Sequence, residues 1–248
     1  MKTHKKPARF GPLSKHLRDP ETKRDLNRRI FRIVAPTYGF LTRVLSLGAD
    51  PHWKRLLLRR LPELKAPTCV DLACGTGDII ELLSSKYPDG RLIGIDLSEE
   101  MLAEAKFRGN AKNIELYERD MLKTRLSSGC VEIVTGGYSL RNAPDLRASL
   151  SEINRIMKPG ATGAFLDFSR PGNRISRTLQ WGLLWLWCGF WGLVLHGKPA
   201  VYGYIPESLA RYPDRHSLEI ILSEFGFIDV TQRTFLGGFT ALTTWRKP

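Results

Sequence analysis

The feature that most constrains the fold of this chain is an alternation of two hydrophobic patterns that begins at Thr68. Short runs rich in Val, Ile and Leu predict strands, and apolar residues at helical spacing between them predict helices. The predicted strands are 68–73, 91–95, 113–117, 131–136 and 161–168, and the predicted helices are 78–87, 99–108 and 145–157. Such alternation is typical of a doubly wound α/β fold, a mostly parallel sheet with helices on both faces. Ligands of such sheets bind at the carboxyl ends of the strands.

The alternation stops after residue 168. Residues 171–206 predict an insertion, which is followed by a helix at 215–225 and by final strands near 228–231 and 234–246. These last strands bring the expected sheet to seven. Before the first strand, apolar residues recur at helical spacing from Asp25 to Leu47, and Pro36 is expected to break or kink that helix. We expect residues 23–62 to form a helical lid.

The loop after the first predicted strand carries the most specific local signal. Residues 70–78 read Val-Asp-Leu-Ala-Cys-Gly-Thr-Gly-Asp, and Asp96 follows Gly77 after 19 positions. Two glycines let the backbone turn tightly and approach a ligand, and an acidic residue about 20 positions further on can accept both hydroxyls of a ribose. The spacing therefore predicts a nucleotide-type site, although Gly75-Thr76-Gly77 alone is equally typical of an ordinary turn.

The acidic residues of this loop argue against a dinucleotide. A pyrophosphate is bound by a third glycine and by free amides at a helix N-terminus. Here Asp71 precedes the loop and Asp78 follows it, so the site is expected to repel a diphosphate and to accept a cation. S-adenosylmethionine carries an ammonium and a sulfonium group. We therefore predict S-adenosylmethionine as the cofactor.

Other candidate cofactor residues follow later predicted strands. Asp120 lies after strand 113–117, where a carboxylate could accept from the adenine amino group. A surface turn carboxylate is the alternative interpretation. Leu72, Leu97 and Met121 could sandwich a purine, and core packing is the ordinary explanation for each of them.

The composition of the chain limits the number of domains and the classes of partner. With 248 residues and 42% hydrophobic residues, the chain can bury one full core, so we expect one domain at 23–248 after a basic flexible arm at 1–22. The formal net charge is +13, and residues 1–32 hold eleven Lys or Arg against three Asp or Glu. Such an arm can contact anionic lipid or nucleic acid, although a solvated extension is the more frequent explanation.

The four cysteines show neither paired metal-ligand spacing nor a disulfide framework, so we expect a reducing compartment and no metal site. The start of the chain lacks the apolar core of a signal peptide, so export is not predicted. We expect a cytoplasmic protein at the inner face of the cytoplasmic membrane, or a mitochondrial matrix protein if the source is eukaryotic.

The insertion contains an unusual apolar segment. Residues 181–195 contain no charged residue and hold four of the six tryptophans, and arginines and a lysine flank the segment. Fifteen residues of helix span roughly 22 Å, short of the ~30 Å hydrocarbon core, so we do not expect the segment to cross a bilayer alone. Three interpretations remain open: a buried helix or homodimer interface, an interfacial membrane anchor, and a wall of a pocket for a long apolar substrate.

Several motifs together resemble those of the ubiquinone/menaquinone biosynthesis C-methyltransferases, which are class I enzymes dependent on S-adenosylmethionine. The resemblance extends from about Ile30 to the C-terminus. Residues 71–78 are shared with many methyltransferases, whereas Arg141-Asn142 within 138–145 is the strongest discriminator. The other matching stretches are 45–48, 53–55, 157–160, 167–171, 202–208 and 225–227.

The resemblance implies a Rossmann-like class I methyltransferase fold and methyl transfer to a ring carbon of a polyprenylated benzoquinol or naphthoquinol. Nucleic acid is not an implied partner. By matching positions, the cofactor-binding residues would be Asp71, Ala73, Gly75, Thr76, Gly77, Asp96, Leu97, Asp120, Met121 and Ser139. Tyr38 would lie on the lid, with Arg141 and Asn142 facing the substrate. The chain departs from the family pattern at Gly39 and Thr42, where the family has an acidic residue and an asparagine, and at Asp167, where glutamate is commoner.

The implied reaction needs a more nucleophilic ring carbon. Deprotonating the adjacent quinol hydroxyl supplies the electron density, and an arginine at that oxygen stabilises the phenolate as a fixed cation. We therefore assign Arg141 to electrostatic stabilisation, although an exposed salt bridge is its ordinary explanation. The proton could pass to water or to Asp120, and Tyr38 could help to exclude solvent. No metal is required.

Two other functions remain open on the sequence alone. A methyltransferase acting on a phospholipid amine or another lipophilic molecule would keep Asp71 and Asp96 and change only the insertion and the lid. The second is a non-catalytic scaffold of the quinone pathway that binds the cofactor.

Overall fold

The sheet has seven strands, and the computed structural model describes residues 17, 19–108, 112–196 and 200–248. The strands are β1 Thr68–Leu72, β2 Arg91–Asp96, β3 Ile114–Glu118, β4 Val131–Gly137, β5 Met157–Phe168, β6 Ile228–Phe235 and β7 Thr240–Arg246. Their order is β3-β2-β1-β4-β5-β7-β6, with β1 to β5 parallel and β7 antiparallel to both of its neighbours. The predicted doubly wound, mostly parallel seven-stranded sheet is confirmed. The strand order reverses between β1 and β4, which is where ligands of such sheets bind.

Helices precede the sheet, cross between its parallel strands and form the insertion. They are α1 Pro20–Val34, α2 Tyr38–Leu45, α3 Asp50–Leu58, α4 Asp78–Lys86, α5 Glu99–Arg108, α6 Leu146–Ile156, α7 Arg174–His196, α8 Ala200–Arg211 and α9 Arg215–Glu224. The crossovers α4, α5 and α6 connect β1 to β2, β2 to β3 and β4 to β5. These three connections were predicted from the alternation of patterns.

The middle strands are buried on both faces. Cys69, Val70 and Leu72 of β1 and Ile133 and Val134 of β4 have no exposed surface. Burial on both faces is what helices on either side of a parallel sheet produce, and it explains why these strands are continuous apolar runs in the sequence. The site described below rests on this rigid centre.

The first helix begins earlier than the sequence predicted. Asp19 caps α1 by accepting a hydrogen bond from the amide of Thr22 at 2.9 Å, and Pro20 occupies the first turn. The predicted arm, 1–22, therefore overlaps the helix by three residues, and most of the arm lies outside the described residues. The expected break at Pro36 is a short 3-10 turn, Ala35–Thr37, between α1 and α2.

Two strand boundaries differ from the prediction. β5 begins at Met157 rather than at 161, because the residues Pro159-Gly160 continue the strand instead of preceding it. The last two strands are separated by a 3-10 turn, Leu236–Gly238, whereas the sequence placed the break at 232–233. A register irregularity near the start of β6 interrupts the apolar alternation that would have marked its length.

The insertion folds into a helical pair, α7 and α8, and α7 has two different faces. Gln180, Leu184 and Cys188 are buried, whereas Leu179 and Leu186 are more than half exposed. In the described ranges, Arg174–Leu195 is long and apolar enough to cross a membrane by length and composition alone, with 22% of its most apolar window buried. The bent pair Pro20–Leu45 and Asp50–Leu58 would be a second such span. The helix is 23 residues long. The prediction that the 15-residue uncharged segment is too short to cross a bilayer therefore does not apply to the whole helix.

Candidate active site

The loop between β1 and α4 is fixed by backbone hydrogen bonds and by left-handed residues. The amide of Cys74 donates to the carbonyl of Ile95 on β2 at 3.0 Å, and the amide of Gly77 donates to the carbonyl of Cys74 at 3.0 Å. Ala73, Gly75 and Gly77 all have positive φ. Glycine adopts that region without strain, which explains the glycines of this turn. The loop consequently lies over the carboxyl ends of β1 and β2.

Asp96 at the end of β2 holds this loop in place. Its Oδ2 accepts the amide of Gly75 at 2.8 Å and its Oδ1 accepts the amide of Ser98 at 2.9 Å. Burial raises the pKa of Asp96, and these backbone hydrogen bonds partly oppose that effect. A carboxylate oxygen can accept more than one hydrogen bond, so both oxygens can still take a ribose hydroxyl.

A cavity of about 680 Å³ opens beside Asp96, between the strand ends and helix α1. It is lined by Asn27, Arg28, Phe31, Tyr38, Ala73, Gly75, Ile95, Asp96, Leu97, Ser98, Met101, Arg119, Asp120, Met121, Gly137, Tyr138, Ser139, Asn142 and Pro144. Nine of these positions were predicted from the sequence. We call this space the cofactor cavity.

The lining of the cofactor cavity fits S-adenosylmethionine. Ile95, Leu97 and Met121 give an apolar wall for a purine, and Asp96 supplies the acceptor for the ribose. Ser139 Oγ and Asn142 Oδ1 are buried at this cavity without a hydrogen-bond partner among the described residues. Buried polar atoms without a partner cost free energy, so a polar ligand that bonds to them would be stabilised.

Three predicted cofactor residues lie outside the cavity lining. Asp71 is buried beneath the loop, where its Oδ1 accepts the hydroxyl of Thr135 at 2.8 Å. Burial raises the pKa of Asp71 to about 7. Thr76 is buried within the loop, and a Cβ at Gly77 would lie 3.1 Å from Ala105 Cβ, so Gly77 permits α4 and α5 to approach. These three residues therefore support the loop on the side away from the cofactor cavity.

The structure also corrects the role of Asp78 in the argument for a cationic ligand. Its Oδ2 lies 2.8 Å from Lys54 Nζ, and Asp78 does not line the cofactor cavity. The carboxylates of the cavity lining are Asp96 and Asp120. Arg28 and Arg119 also belong to that lining, so the loop carboxylates that the sequence singled out do not make the cavity selective for a cation.

Asp120 is not placed for the proton transfer that the sequence analysis considered. Its Oδ2 lies 2.7 Å from Arg24 Nε, and its Oδ1 accepts the amide of Leu122 at 2.9 Å. Asp120 lines the cofactor cavity beside Met121, away from Arg141.

A second cavity of about 640 Å³ adjoins the first, and we call it the acceptor cavity. The two share Phe31, Tyr38, Tyr138 and Asn142. The acceptor cavity is otherwise lined by Ile30, Val34, Leu41, Thr42, Leu45, Ser46, Trp53, Arg141, Phe168, Tyr202, Tyr204, Ile205 and Thr240. Most of these side chains are apolar or aromatic, and many belong to α1, α2 and α8. The predicted lid and insertion thus build the walls of this cavity.

Among the described residues, Arg141 is the one charged side chain in the lining of the acceptor cavity. It is only 4% exposed, so the alternative of an exposed salt bridge is wrong. Its Nε lies 3.5 Å from Asp167 Oδ1, its amide donates to Asp167 Oδ2 at 3.0 Å, and its guanidinium donates to Ser208 Oγ. The guanidinium also lies over the ring of Phe168, 5.3 Å from its centre. Asp167 and Ser208 therefore fix the orientation of the cation.

The lid is bonded to the loop that carries Arg141. Lys23 Nζ donates to the backbone carbonyls of Arg141, at 3.1 Å, and Ala143. Asn27 Nδ2 donates to the carbonyl of Asn142 at 2.6 Å. Burial, and secondarily the charge of Arg141, lower the pKa of Lys23 to about 8. Helix α1 thus closes over both cavities through two polar side chains.

Sequence reasoning missed a buried network behind the acceptor cavity. Lys54 Nζ lies 2.7 Å from Asp50 Oδ2, and the hydroxyl of Tyr138 donates to Asp50 Oδ1 at 2.8 Å. Asp50 and Lys54 are both at least nine-tenths buried. Their i, i+4 spacing on α3 is a signal for the pair but not for its burial, because that spacing is also typical of exposed helix pairs.

Within the residues that the structure describes, no group of three or more His, Cys, Asp or Glu side chains could hold a metal ion. The four cysteines are free thiols, and burial raises the pKa of Cys74 well above its usual value.

Comparisons with known proteins agree with this site. A sequence model of the ubiE/COQ5 methyltransferase family matches residues 20–247. A demethylmenaquinone methyltransferase of Staphylococcus aureus (strain JH9) is 27% identical over 226 residues, which cover 90% of this chain and 94% of that protein.

Solved structures of methyltransferases share the fold. A chain of the Haloferax volcanii complex between the Trm112 methyltransferase activator and a methyltransferase superposes with a TM-score of 0.67 at 19% identity, covering 88% of this chain and 97% of that one. An Aquifex aeolicus SAM-dependent methyltransferase gives 0.56 at 18% identity, covering 79% and 89%. Haemonchus contortus phosphoethanolamine N-methyltransferase 2 with S-adenosyl-L-methionine gives 0.62 at 14% identity, covering 88% and 60%.

The family match extends over nearly the whole described chain and includes both cavities, and the similar folds belong to methyltransferases, one of them with S-adenosylmethionine bound. The chain therefore belongs to the ubiE/COQ5 methyltransferase family and is a methyltransferase that uses S-adenosylmethionine as its cofactor.

Proposed function

We propose that this enzyme methylates a ring carbon of a polyprenylated quinol in respiratory quinone biosynthesis. The observation that carries the proposal is the contact between an apolar acceptor cavity and the cofactor cavity at Tyr38, Tyr138 and Asn142. A lipophilic aromatic ring in the acceptor cavity would lie against the methyl donor. The demethylmenaquinone methyltransferase relatives support a quinol acceptor and favour a naphthoquinol over a benzoquinol.

Arg141 gives the acceptor cavity its chemistry. When bound, S-adenosylmethionine supplies an electrophilic methyl group. Ionising a quinol hydroxyl raises the electron density of the neighbouring ring carbon, and the buried guanidinium of Arg141 stabilises the resulting phenolate. Because the cation is oriented by Asp167 and Ser208 before the substrate binds, little reorganisation is needed during the reaction. Its planar donor fork and permanent charge suit this role better than a lysine.

We assign the quinol proton to Tyr138 and Asp50 instead of Asp120. Tyr138 lines the acceptor cavity and donates its hydroxyl proton to Asp50 Oδ1 at 2.8 Å. The quinol hydroxyl would pass its proton to the Tyr138 oxygen while the Tyr138 proton moves to Asp50. After the carbon–methyl bond has formed and the sulfur–methyl bond has broken, the hydrogen of the ring carbon would leave as a proton to water, and the proton on Asp50 would return through Tyr138 to the quinol oxygen. Such a relay needs no charged tyrosinate, which burial and the charge of Asp50 disfavour by raising the pKa of Tyr138.

The lid supplies positioning and excludes water. Phe31 and Tyr38 line both cavities, and Leu41 and Leu45 extend the apolar wall of the acceptor cavity. Closing α1 and α2 over a bound quinol would hold the ring carbon against the methyl group. Proximity of this kind can contribute roughly 7–11 kcal/mol to catalysis.

We also propose peripheral contact with the cytoplasmic face of the membrane through the exposed face of α7. That face carries large apolar side chains, among them Leu179, Leu186 and Leu193. Exposed tryptophans at 181 and 185 and arginines at 174 and 177 adjoin it, which is the composition of an interfacial helix. A lipophilic quinol could then pass from the bilayer to the acceptor cavity. A homodimer through the same face is the competing arrangement.

The test of the proposed function is transfer of a labelled methyl group from S-adenosylmethionine to reduced demethylmenaquinone and to the demethylated benzoquinol, assayed side by side with a phospholipid amine. The proposal predicts a C-methylated quinol. Product only from the amine would assign the enzyme to another lipophilic substrate. Binding of S-adenosylmethionine with no product from any acceptor would favour a cofactor-binding scaffold.

A further inference from the structure

A third cavity, of about 660 Å³, lies outside the catalytic region, where the chain leaves β5 and enters α7. Its lining combines two arginines with a tryptophan and with residues of α8. The lining residues are Arg170, Arg177, Thr178, Gln180, Trp181, Pro206, Leu209 and Ala210. None of them lines the cofactor cavity or the acceptor cavity.

Arg170 is fixed at this cavity with donor capacity left over. Its Nη1 donates to the carbonyls of Ala210, at 2.7 Å, and Tyr212, at 3.0 Å. Its Nε is buried and has no hydrogen-bond partner among the described residues. Burial and the nearby charge of Arg177 lower the pKa of Arg170. The cation is therefore held in place by neutral carbonyls, and no carboxylate of the described residues forms an ion pair with it.

Arg177 adds a second positive charge that nearby carboxylates neutralise only in part. It donates to the carbonyls of Pro171, at 3.3 Å, and Gly172, at 3.0 Å. The carboxylate paired with it is Asp214, whose Oδ2 is 3.7 Å away and whose Oδ1 already caps α9 by accepting the amide of Ser217. In the part of the chain that the structure describes, two guanidinium groups thus share one carboxylate, which leaves the cavity with an excess positive charge.

The position of the cavity indicates the source of its ligand. Arg177, Trp181 and Trp185 follow one another at i, i+4 spacing, so they form one row along α7. This row borders the exposed apolar face of the helix, and both tryptophans are more than two-fifths exposed. If that face lies on a bilayer, the row places Arg177, and with it the cavity that Arg177 lines, at the depth of the lipid headgroups.

We propose that the cavity binds the phosphate of an anionic phospholipid, with Arg170 and Arg177 as its ligands and Trp181 packed beside the headgroup. Guanidinium groups bind phosphate through paired, charge-assisted hydrogen bonds. The excess charge of the pair favours a lipid with net negative charge over a zwitterionic one. The inference rests on the proposed membrane contact and adds a specific headgroup site to it.

The test uses the full chain and vesicles of phosphatidylcholine with and without phosphatidylglycerol. Arg177 is the position to change, because its backbone contacts are to the residues just before its own helix, whereas Arg170 joins the end of β5 to the end of α8. Arg177→Gln removes the charge, and Arg177→Lys keeps the charge but removes the planar fork. Arg174→Gln is the matched control, since Arg174 is exposed on the same helix and does not line the cavity. The affinity for S-adenosylmethionine, measured by calorimetry, verifies that each variant is folded.

We expect tighter binding of the wild type to the anionic vesicles. Removing one positive charge that is attracted only generally to an anionic surface weakens vesicle binding by about fivefold. We expect Arg174→Gln to lose no more than this. Both Arg177 variants lose the paired hydrogen bonds of the guanidinium fork, which should weaken binding by about tenfold or more. Unchanged binding by Arg177→Lys, or equal losses in Arg177→Gln and Arg174→Gln, would overturn the headgroup site and leave a general surface attraction.

Two further outcomes would overturn the assignment to a lipid. In the first, the wild type binds glycerol phosphate in calorimetry, and Arg177→Lys abolishes this binding but leaves vesicle binding unchanged. The cavity would then bind a soluble phosphate compound. The second outcome is salt-sensitive binding of RNA that follows the same variant. Failure of the wild type to bind vesicles would reject the membrane contact together with this site, whereas the methyl-transfer assay on detergent-dispersed quinol would still decide the proposed function.

Discussion

The side-chain amide of Asn27 donates a hydrogen bond to the backbone carbonyl of Asn142 at 2.6 Å. This bond joins the lid helix to the loop that presents Arg141 to the acceptor cavity. Lys23, one turn earlier on the helix, bonds to the carbonyls of Arg141 and Ala143. These contacts hold the lid helix against the substrate loop, so the lid cannot lift from the cofactor cavity without breaking them.

The buried Lys23 predicts a pH dependence of stability. Its pKa is about 8 in the folded protein and 10.5 in an ordinary lysine, so between these values the unfolded chain binds more protons than the folded one. Stability contributed by Lys23 therefore rises as the pH increases from 8 towards 10.5. We expect the melting temperature of the wild type to rise relative to that of Lys23→Met between pH 7 and pH 10.5. An exposed control, Lys65→Met, should show no such trend; a constant difference for Lys23→Met would reject the depressed pKa.

Asp96→Ala should weaken the binding of S-adenosylmethionine by about tenfold or more, because a hydrogen bond to a charged group is worth roughly 1.5–3 kcal/mol. The substitution removes the ribose acceptor and releases the amides of Gly75 and Ser98. Isothermal calorimetry measures the effect. Glu118→Gln is the matched control, because Glu118 pairs in register with Asp96 on β3 but does not line the cavity. Equal affinities of the two variants would contradict the assignment of Asp96.

The fold and the floor of the cofactor cavity were predictable because their signals are local. The apolar runs of β1 to β5 and the loop with Gly75 and Gly77 carry their own spacing, and Asp96 follows at a fixed interval. Arg141 and Asn142 were predicted to face the substrate, but only because the motif that contains them resembles that of a known family. The burial of Arg141 and its contact with Asp167 confirm only that this arginine is not a surface residue.

The rest of the site depends on contacts between distant parts of the chain. Asp50 meets Tyr138 across 88 residues, and Asp120 is held by Arg24 from the lid. Neither contact leaves a periodicity or a motif in the sequence. The length of α7 was also underestimated, because the helix continues past the uncharged segment through Arg174 and Arg177.

Lys54 is predicted to be essential for the stability of the lid base. Lys54→Met leaves the carboxylates of Asp50 and Asp78 without their shared cation. Breaking a buried ion pair in this way costs about 3 kcal/mol or more of unfolding free energy. The control Arg147→Met breaks an exposed pair with Glu224 and should cost less than about 1 kcal/mol. Denaturant unfolding compares the two, and losses of equal size would contradict the buried network.

The exposed face of α7 is predicted to carry the membrane contact. Leu186 and Leu193 are 66% and 56% exposed, so replacing both with serine should barely change the folded protein. We expect the double variant to partition into vesicles at least about tenfold less, because about 0.8 kcal/mol is lost for each buried CH2 removed. Ile228→Ser, an exposed apolar residue on β6, is the control. Unchanged vesicle binding together with loss of a dimer in size-exclusion chromatography would assign the face to a homodimer.

The most direct measurement is methyl transfer to reduced demethylmenaquinone by the wild type, Arg141→Gln and the exposed control Arg147→Gln. If Arg141 stabilises the phenolate, the wild type and the control form the C-methylated product, and kcat of Arg141→Gln falls by about 10²–10³. Its affinity for S-adenosylmethionine should remain within about twofold, because Arg141 lines the acceptor cavity and not the cofactor cavity. Wild-type turnover by Arg141→Gln, or no methylated quinol from the wild type, would contradict the account.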